Sequence, residues 1–169
     1  AGALINELFL ETFQTLSTQV TKEERIKKTP IVIYGTFSDR ADSYKRIIRT
    51  AFANKESVIL VAPSIRATEY WYQVLQKGIS THSIIIHSKK TKRDQKSAFA
   101  LIKNSTRPLF ICTTPQNAIV PRLGIKTIIL EDESSSLYKL RDRYGADMRV
   151  VLSSIASFFG AQILYGDTF

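Results

Sequence analysis

The stretch from Ile31 to Phe52 has the order of features with which many proteins bind a phosphate group. An apolar run ends at Gly35, a short polar loop follows, and an amphipathic helix pattern is clear from Tyr44 onward. Backbone N–H groups at such a helix start attract anions. However, the loop has one glycine and no lysine, and Asp39 lies where an anion would bind. Three interpretations remain open: a nucleotide site, a site that has lost its function, or an ordinary strand–turn–helix.

Three successive carboxylates, Glu131, Asp132 and Glu133, follow another apolar run. Carboxylates at the end of a strand can hold magnesium and orient water for phosphoryl transfer. The alternative is an acidic strand end that is simply exposed to solvent. His82, His87 and the single cysteine are too few and too scattered for a metal site, so the sequence predicts no protein-bound metal.

A third candidate set is basic and follows two further apolar runs. It consists of Arg66, Lys89, Lys90, Lys92 and Arg93. Such side chains can contact the phosphates of a nucleic acid, although a solvated surface is the simpler alternative. The whole chain has 24 basic and 15 acidic residues, a net charge of +9, which suggests an anionic partner, most often nucleic acid. A basic domain cut from a larger, compensating chain is the alternative.

The elements that position these residues alternate between two sequence periods. Six short runs rich in Ile, Val and Leu predict strands buried on both faces, at residues 31–34, 57–62, 83–87, 109–113, 127–130 and 162–165. Helical patterns lie between them, at residues 44–52, 67–76, 92–103 and 151–159, and Gly160 is placed to end the last helix. This alternation predicts an α/β fold: a three-layer parallel sheet with helices on both faces. Ligands bind at the carboxyl ends of such strands, where the polar stretches lie.

The composition and length predict how the 169-residue chain is organised. Residues 30–169 are expected to form one α/β lobe, and residues 1–29 an amino-terminal helix and charged linker packed on it. No apolar run is long enough to cross a membrane, and no signal segment is recognisable. The single cysteine, Cys112, lies in an apolar run and suggests a buried thiol in a reducing compartment, so a cytoplasmic location is expected.

Several short segments, none of them specific alone, occur together in an order that indicates a protein family. The run CTTPQNAIVPRLGIKTIILEDESSSLYK is followed by RYGADMRVVL, and the segments VILVAPSI and IIIHSKK lie upstream. Together, over residues 30–169, they resemble the primosomal replication-restart helicases (primosomal protein N′). In that family a Gly-Thr-Arg-Ser-Ala segment precedes a strand ending Asp-Glu-Glu-His, then Ser-Tyr-Lys and an Arg-Tyr pair. The corresponding positions here are residues 113–118, residues 131–134, Tyr138, Lys139, Arg143 and Tyr144.

The resemblance implies the first of the two RecA-like lobes of a superfamily-two helicase. It implies DNA and replication proteins as partners, and ATP and magnesium as cofactors. It places Gly35, Ser38 and Arg40 in the nucleotide loop, at a glycine, a serine and the phosphate-binding lysine respectively. It makes Glu131, Asp132 and Glu133 the acidic motif, and it places Arg66 where the helicases of that family contact the backbone of the strand.

The sequence also departs from the family pattern, and each departure removes a chemical function. Phe37 and Asp39 stand where the family has glycines, which restricts the backbone of the loop. Arg40 replaces the compact lysine, and Ala41 lacks the oxygen that would hold magnesium. The acidic order is Glu-Asp-Glu, and Ser134 replaces the histidine. We therefore expect degenerate motifs without a bound cofactor, and a lobe that binds DNA or a replication partner without hydrolysing ATP. An active ATPase lobe that needs a second lobe, and a protein-interaction scaffold, are the alternatives.

Overall fold

The protein is described from a computed structural model, which defines residues 28–141 and 145–168. The expected amino-terminal helix, most of the charged linker and the Arg143–Tyr144 pair lie outside these residues.

The core of the structure is a six-stranded, entirely parallel sheet. Its strands are β1 (Ile31–Tyr34), β2 (Ser57–Val61), β3 (Ser83–Ile86), β4 (Phe110–Thr113), β5 (Ile125–Glu131) and β6 (Gln162–Asp167). The spatial order is β1-β6-β5-β2-β4-β3. All six strands occur where the apolar runs predict them, with ends that differ by at most two residues.

Within the residues that the structure describes, four α-helices cover the two faces of the sheet. They are α1 (Phe37–Ala53), α2 (Ile65–Leu75), α3 (Lys92–Asn104) and α4 (Met148–Phe159), which ends at Gly160 as predicted. Helices α1 and α2 bury Tyr44 and Trp71 against one face. Helices α3 and α4 bury Ile102 and Leu152 against the other face. The predicted three-layer α/β fold is therefore confirmed.

Strand β1 differs from the prediction that every strand is buried on both faces. It is an edge strand that pairs with β6, and Ile31 and Val32 are 47% and 50% exposed. An apolar run indicates a strand but does not indicate whether neighbours cover it. The prediction of full burial is wrong for this strand.

Helix α1 begins earlier than its apolar stripe suggests. The polar loop expected between the apolar run and the helix pattern at Tyr44 is in fact only Gly35 and Thr36, because Thr36 caps a helix that starts at Phe37. Gly35 has a φ of 153°, and a Cβ at this position would lie 3.1 Å from the Cβ of Asp39. The tight connection therefore requires glycine, and it leaves no extended loop between β1 and α1.

Candidate functional site

The carboxyl ends of three neighbouring strands surround the side chain of Arg40. Gly35 follows β1, Glu131 ends β5 and Asp167 ends β6, and these strands are adjacent in the order β1-β6-β5. Arg40 lies in the first turns of α1 and points at these strand ends. The parallel topology thus brings together residues that are up to 132 positions apart in the sequence.

The guanidinium of Arg40 donates hydrogen bonds to acceptors on all three strand ends. Its Nε and Nη2 atoms donate to Oε1 of Glu131 at 3.2 and 2.8 Å. Its Nη1 atom donates to the carbonyl oxygens of Gly35 at 2.6 Å and Asp167 at 3.1 Å. Arg40 and Glu131 are only 5% and 3% exposed, so this is a buried ion pair held by additional hydrogen bonds.

The second carboxylate oxygen of Glu131 also has a partner. The hydroxyl of Tyr44, which is fully buried one turn after Arg40, donates to Oε2 at 2.5 Å. Burial raises the pKa of the Glu131 carboxyl above its ordinary value, while the hydrogen bonds from Tyr44 and Arg40 oppose that rise. Burial also raises the pKa of the Tyr44 hydroxyl, which keeps it a hydrogen-bond donor. We refer to Arg40, Tyr44 and Glu131 as the buried triad.

The N-terminus of α1 is occupied by a carboxylate of the same helix. Oδ2 of Asp39 accepts hydrogen bonds from the N–H of Thr36 at 3.1 Å and from its hydroxyl at 2.6 Å. The N–H of Asp39 donates in return to Oγ1 of Thr36 at 3.3 Å. The hydroxyl bond lowers the pKa of Asp39. This capping box places a negative charge where the helix would otherwise attract an anion.

The three consecutive carboxylates diverge after β5. Asp132 adopts a left-handed conformation with a φ of 53° and is exposed to solvent. Glu133 is half-buried, and its carbonyl oxygen accepts a bond from Nη1 of Arg149 at 2.8 Å. Only Glu131 faces the site. The interpretation of this stretch as an exposed strand end is therefore wrong for Glu131, because the side chain turns inward to meet Arg40.

Two of the three residues predicted for the nucleotide loop contact each other. Gly35 and Arg40 are joined by a hydrogen bond, whereas Ser38 lies exposed in the first turn of α1. Sequence reasoning did not assign Tyr44 to the site, because its position in the apolar stripe suggested an ordinary core residue. The one feature of the sequence that could have assigned Tyr44 to the site is its four-residue spacing from Arg40, which places both side chains on one helix face.

The five basic candidate residues all lie exposed along the carboxyl edge of the sheet. Arg66 is in the first turn of α2, and Lys89 and Lys90 are in the loop after β3. Lys92 and Arg93 begin α3. Because β3 is the edge strand opposite to β1, the lysine-rich segment and Gly35 lie at opposite ends of this edge.

The buried thiol is where the sequence predicts it. Cys112 is fully buried on β4, its sulfur lies 3.3 Å from the carbonyl oxygen of Thr68, and burial raises the pKa of the thiol. Within residues 28–141 and 145–168, no group of three or more His, Cys, Asp or Glu side chains is arranged to hold a metal ion. In the same part of the chain, no helix combines the length and the apolar character that a membrane span needs.

The fold is similar to RecA-like lobes of known helicase-type structures. The C-terminal part of the Fun30 ATPase domain has a TM-score of 0.53 and 9% sequence identity, covering 75% of this chain and 40% of that one. Domain 2 of the DEAD-box helicase Mss116p, bound to an RNA duplex, has a TM-score of 0.56 and 12% identity, covering 82% of this chain and 54% of that one. No protein-family model and no curated protein matches the sequence. The chain thus has the fold of a RecA-like lobe, and it spans about half or less of the length of these two chains.

Proposed function

We propose that this chain is a RecA-like lobe of a relative of the primosomal replication-restart helicases, by its segment order the first of the two lobes, and that it binds DNA without hydrolysing ATP. The two solved structures with a similar fold are a C-terminal part and a domain 2, so the choice of the first lobe rests on the sequence resemblance alone. The observation that carries the proposal is the buried ion pair between Arg40 and Glu131. A cytoplasmic location and contacts with replication proteins belong to the same proposal.

The buried triad uses the groups that a nucleotide would need. In a working lobe the cation at the position of Arg40 reaches the outer phosphates, and the carboxylate at the strand end holds magnesium. Here the two groups bind each other and have further partners. A nucleotide could use either group only after the pair had separated, and a member of a buried pair left without its counter-charge costs about 3–5 kcal/mol. This cost counts against nucleotide binding, because each 1.4 kcal/mol is a tenfold change in affinity.

The start of α1 adds a second obstacle to a triphosphate. Asp39 already accepts the hydrogen bonds of Thr36 at the helix terminus, and its carboxylate would repel the phosphates. The two-residue connection formed by Gly35 and Thr36 is too short for a loop whose N–H groups wrap around an anion. The site therefore supports a structural role for the former nucleotide-binding residues.

Binding of nucleic acid requires less accurate placement of side chains than hydrolysis of ATP does. Exposed cations along one edge of the sheet can neutralise backbone phosphates without an accurately placed reacting group. The net charge of +9 agrees with such a partner. The resemblance to the primosomal family favours DNA, and a related fold in Mss116p has been solved with an RNA duplex.

Binding to single-stranded and forked DNA should be strong at low salt and should fall steeply as salt rises. Replacing Lys89 and Lys90 together by glutamate should remove most of this binding, because two phosphate contacts become repulsive. Each lysine that contacts a phosphate should also contribute about one unit to the slope of log affinity against log salt. Fluorescence anisotropy across a salt series measures both quantities.

The matched control reverses the same number of charges at the opposite edge of the sheet. Lys77 follows α2 and Lys103 lies in the last turn of α3, and both are exposed. The double variant Lys77→Glu with Lys103→Glu should bind DNA far better than the Lys89, Lys90 variant. Equal losses in the two variants would indicate a nonspecific charge effect. A lack of DNA binding at low salt would reject the proposed function and favour a protein-interaction scaffold.

A further inference from the structure

Three consecutive aromatic residues on α2 have different environments. Trp71 is a core residue and is only 3% exposed. Tyr72 is half-buried, and its hydroxyl lies 3.3 Å from the carbonyl oxygen of Ser83. Tyr70, in contrast, is 52% exposed. Packing therefore accounts for Trp71 and Tyr72, while half of the Tyr70 side chain remains available to a ligand.

A second aromatic residue holds the ring of Tyr70. Phe37 lies in the first turn of α1, with its ring centroid 4.8 Å from that of Tyr70 and the two planes at 47°. Phe37 is itself fixed against the buried Trp71 at a centroid distance of 4.4 Å. The three rings are in continuous contact from the core to the surface, with their planes tilted against each other. Tyr70 is thus restrained by its neighbours, so binding to it would cost little conformational entropy.

A cation accompanies this exposed ring at the spacing of one helical turn. Arg66 lies four residues before Tyr70, and both side chains are exposed on the same side of α2. Helical side chains point toward the helix N-terminus, which for α2 is the carboxyl edge of the sheet. The acidic Glu69 is also exposed and lies one turn after Arg66, but its Oε1 atom lies 3.4 Å from Nε2 of His87. An aromatic face beside a cation matches the two parts of a nucleotide, a base and its phosphate.

We propose that Tyr70 stacks on an unpaired base of a nucleic-acid strand while Arg66 contacts an adjacent phosphate. This inference rests on the proposed function and specifies its ligand as single-stranded, because the bases of a duplex are already stacked on each other. Phe37 supports the stacking ring from below. Phe37 stands where the nucleotide loop of the family that this chain resembles has a glycine, and in this proposal it has a role in a binding surface.

The test compares a labelled single strand with a matched strand whose central nucleotides lack bases but keep their phosphates. Tyr70→Ala should weaken binding of the intact strand about 10-fold, in line with alanine substitution at stacking sites. The variant should bind the abasic strand as the unmodified protein does. Tyr70→Phe should retain affinity for the intact strand, because the stacking ring remains. Leu101→Ala, which removes another exposed apolar side chain on α3, should leave both affinities unchanged.

Two results would overturn the inference while leaving the proposed function intact. One is salt-dependent DNA binding that Tyr70→Ala does not weaken. The other is an equal loss for the intact and abasic strands, which would show that the ring acts on folding or on phosphate contacts and not on a base. Failure of the unmodified protein to bind either strand at low salt would instead reject the proposed function together with the inference.

Discussion

Arg40→Ala should lower the free energy of unfolding by about 3–5 kcal/mol, because it leaves the carboxylate of Glu131 buried without its counter-charge. It also removes the donors to the carbonyl oxygens of Gly35 and Asp167, which hold the ends of β1 and β6 in place. Since domains of this size are stable by only about 5–15 kcal/mol, the loss would be a large share of the total. Denaturant unfolding followed by circular dichroism measures it.

An exposed ion pair on the same helix provides the matched control. Nζ of Lys45 lies 3.0 Å from Oδ1 of Asp42, and both side chains are substantially exposed. Lys45→Ala should therefore change the free energy of unfolding by less than about 1 kcal/mol. In the double variant Arg40→Ala with Glu131→Ala, the loss should be smaller than the sum of the two single losses. Additive losses, or an Arg40→Ala variant as stable as the unmodified protein, would show that the two side chains do not depend on each other.

Gly166→Ala should also lower the free energy of unfolding by at least about 3 kcal/mol, although it adds only one methyl group. A Cβ on this residue of β6 would lie 1.7 Å from the hydroxyl oxygen of Tyr44 and 2.7 Å from Oε2 of Glu131. Neither contact is sterically possible, so the buried triad would have to come apart. Thermal or denaturant unfolding measures the effect.

A second glycine shows whether the loss comes from this contact. Gly124 is exposed, and a Cβ there would meet no heavy atom within 4 Å, so Gly124→Ala should stay within about 0.5 kcal/mol of the unmodified protein. In a Tyr44→Phe background, where the nearest oxygen is gone, Gly166→Ala should cost less than it does alone. If its cost is the same in both backgrounds, the hydroxyl of Tyr44 does not occupy the space beside β6.

The fold was predictable because its physical signals are local. Parallel strands covered on both sides read as continuous apolar runs, and the covering helices read as apolar stripes, so the order of elements follows directly. The start of α1 was harder to predict from the sequence. Its stripe is clear only from Tyr44, whereas the true start depends on the capping hydrogen bonds between Thr36 and Asp39. The exposure of β1 depends on neighbours in space, which the sequence of the strand does not specify.

The candidate site was predictable only in part for a different reason. The resemblance to a helicase family predicted that Arg40 and Glu131 are altered functional positions, but it did not predict that they bind each other. That contact joins residues 91 positions apart and depends on the wide fork of an arginine reaching a longer acidic side chain. The carbonyl oxygen of Asp167 completes the site through its backbone, which carries no residue-specific signal. Two residues that each depart from the pattern of the family that this chain resembles are complementary in the folded protein.

A titration with magnesium-ATP tests the central claim, that the buried ion pair takes the place of the nucleotide. Trp71 is the only tryptophan of the chain, and its ring centroid lies 6.0 Å from Cζ of Arg40, so its fluorescence reports on this side chain. We predict no saturable change up to roughly millimolar ATP, which corresponds to a binding free energy of only about −4 kcal/mol. Saturable binding in the micromolar range, abolished by Arg40→Ala in a folded variant, would show that the arginine leaves Glu131 to bind phosphate and would contradict the account.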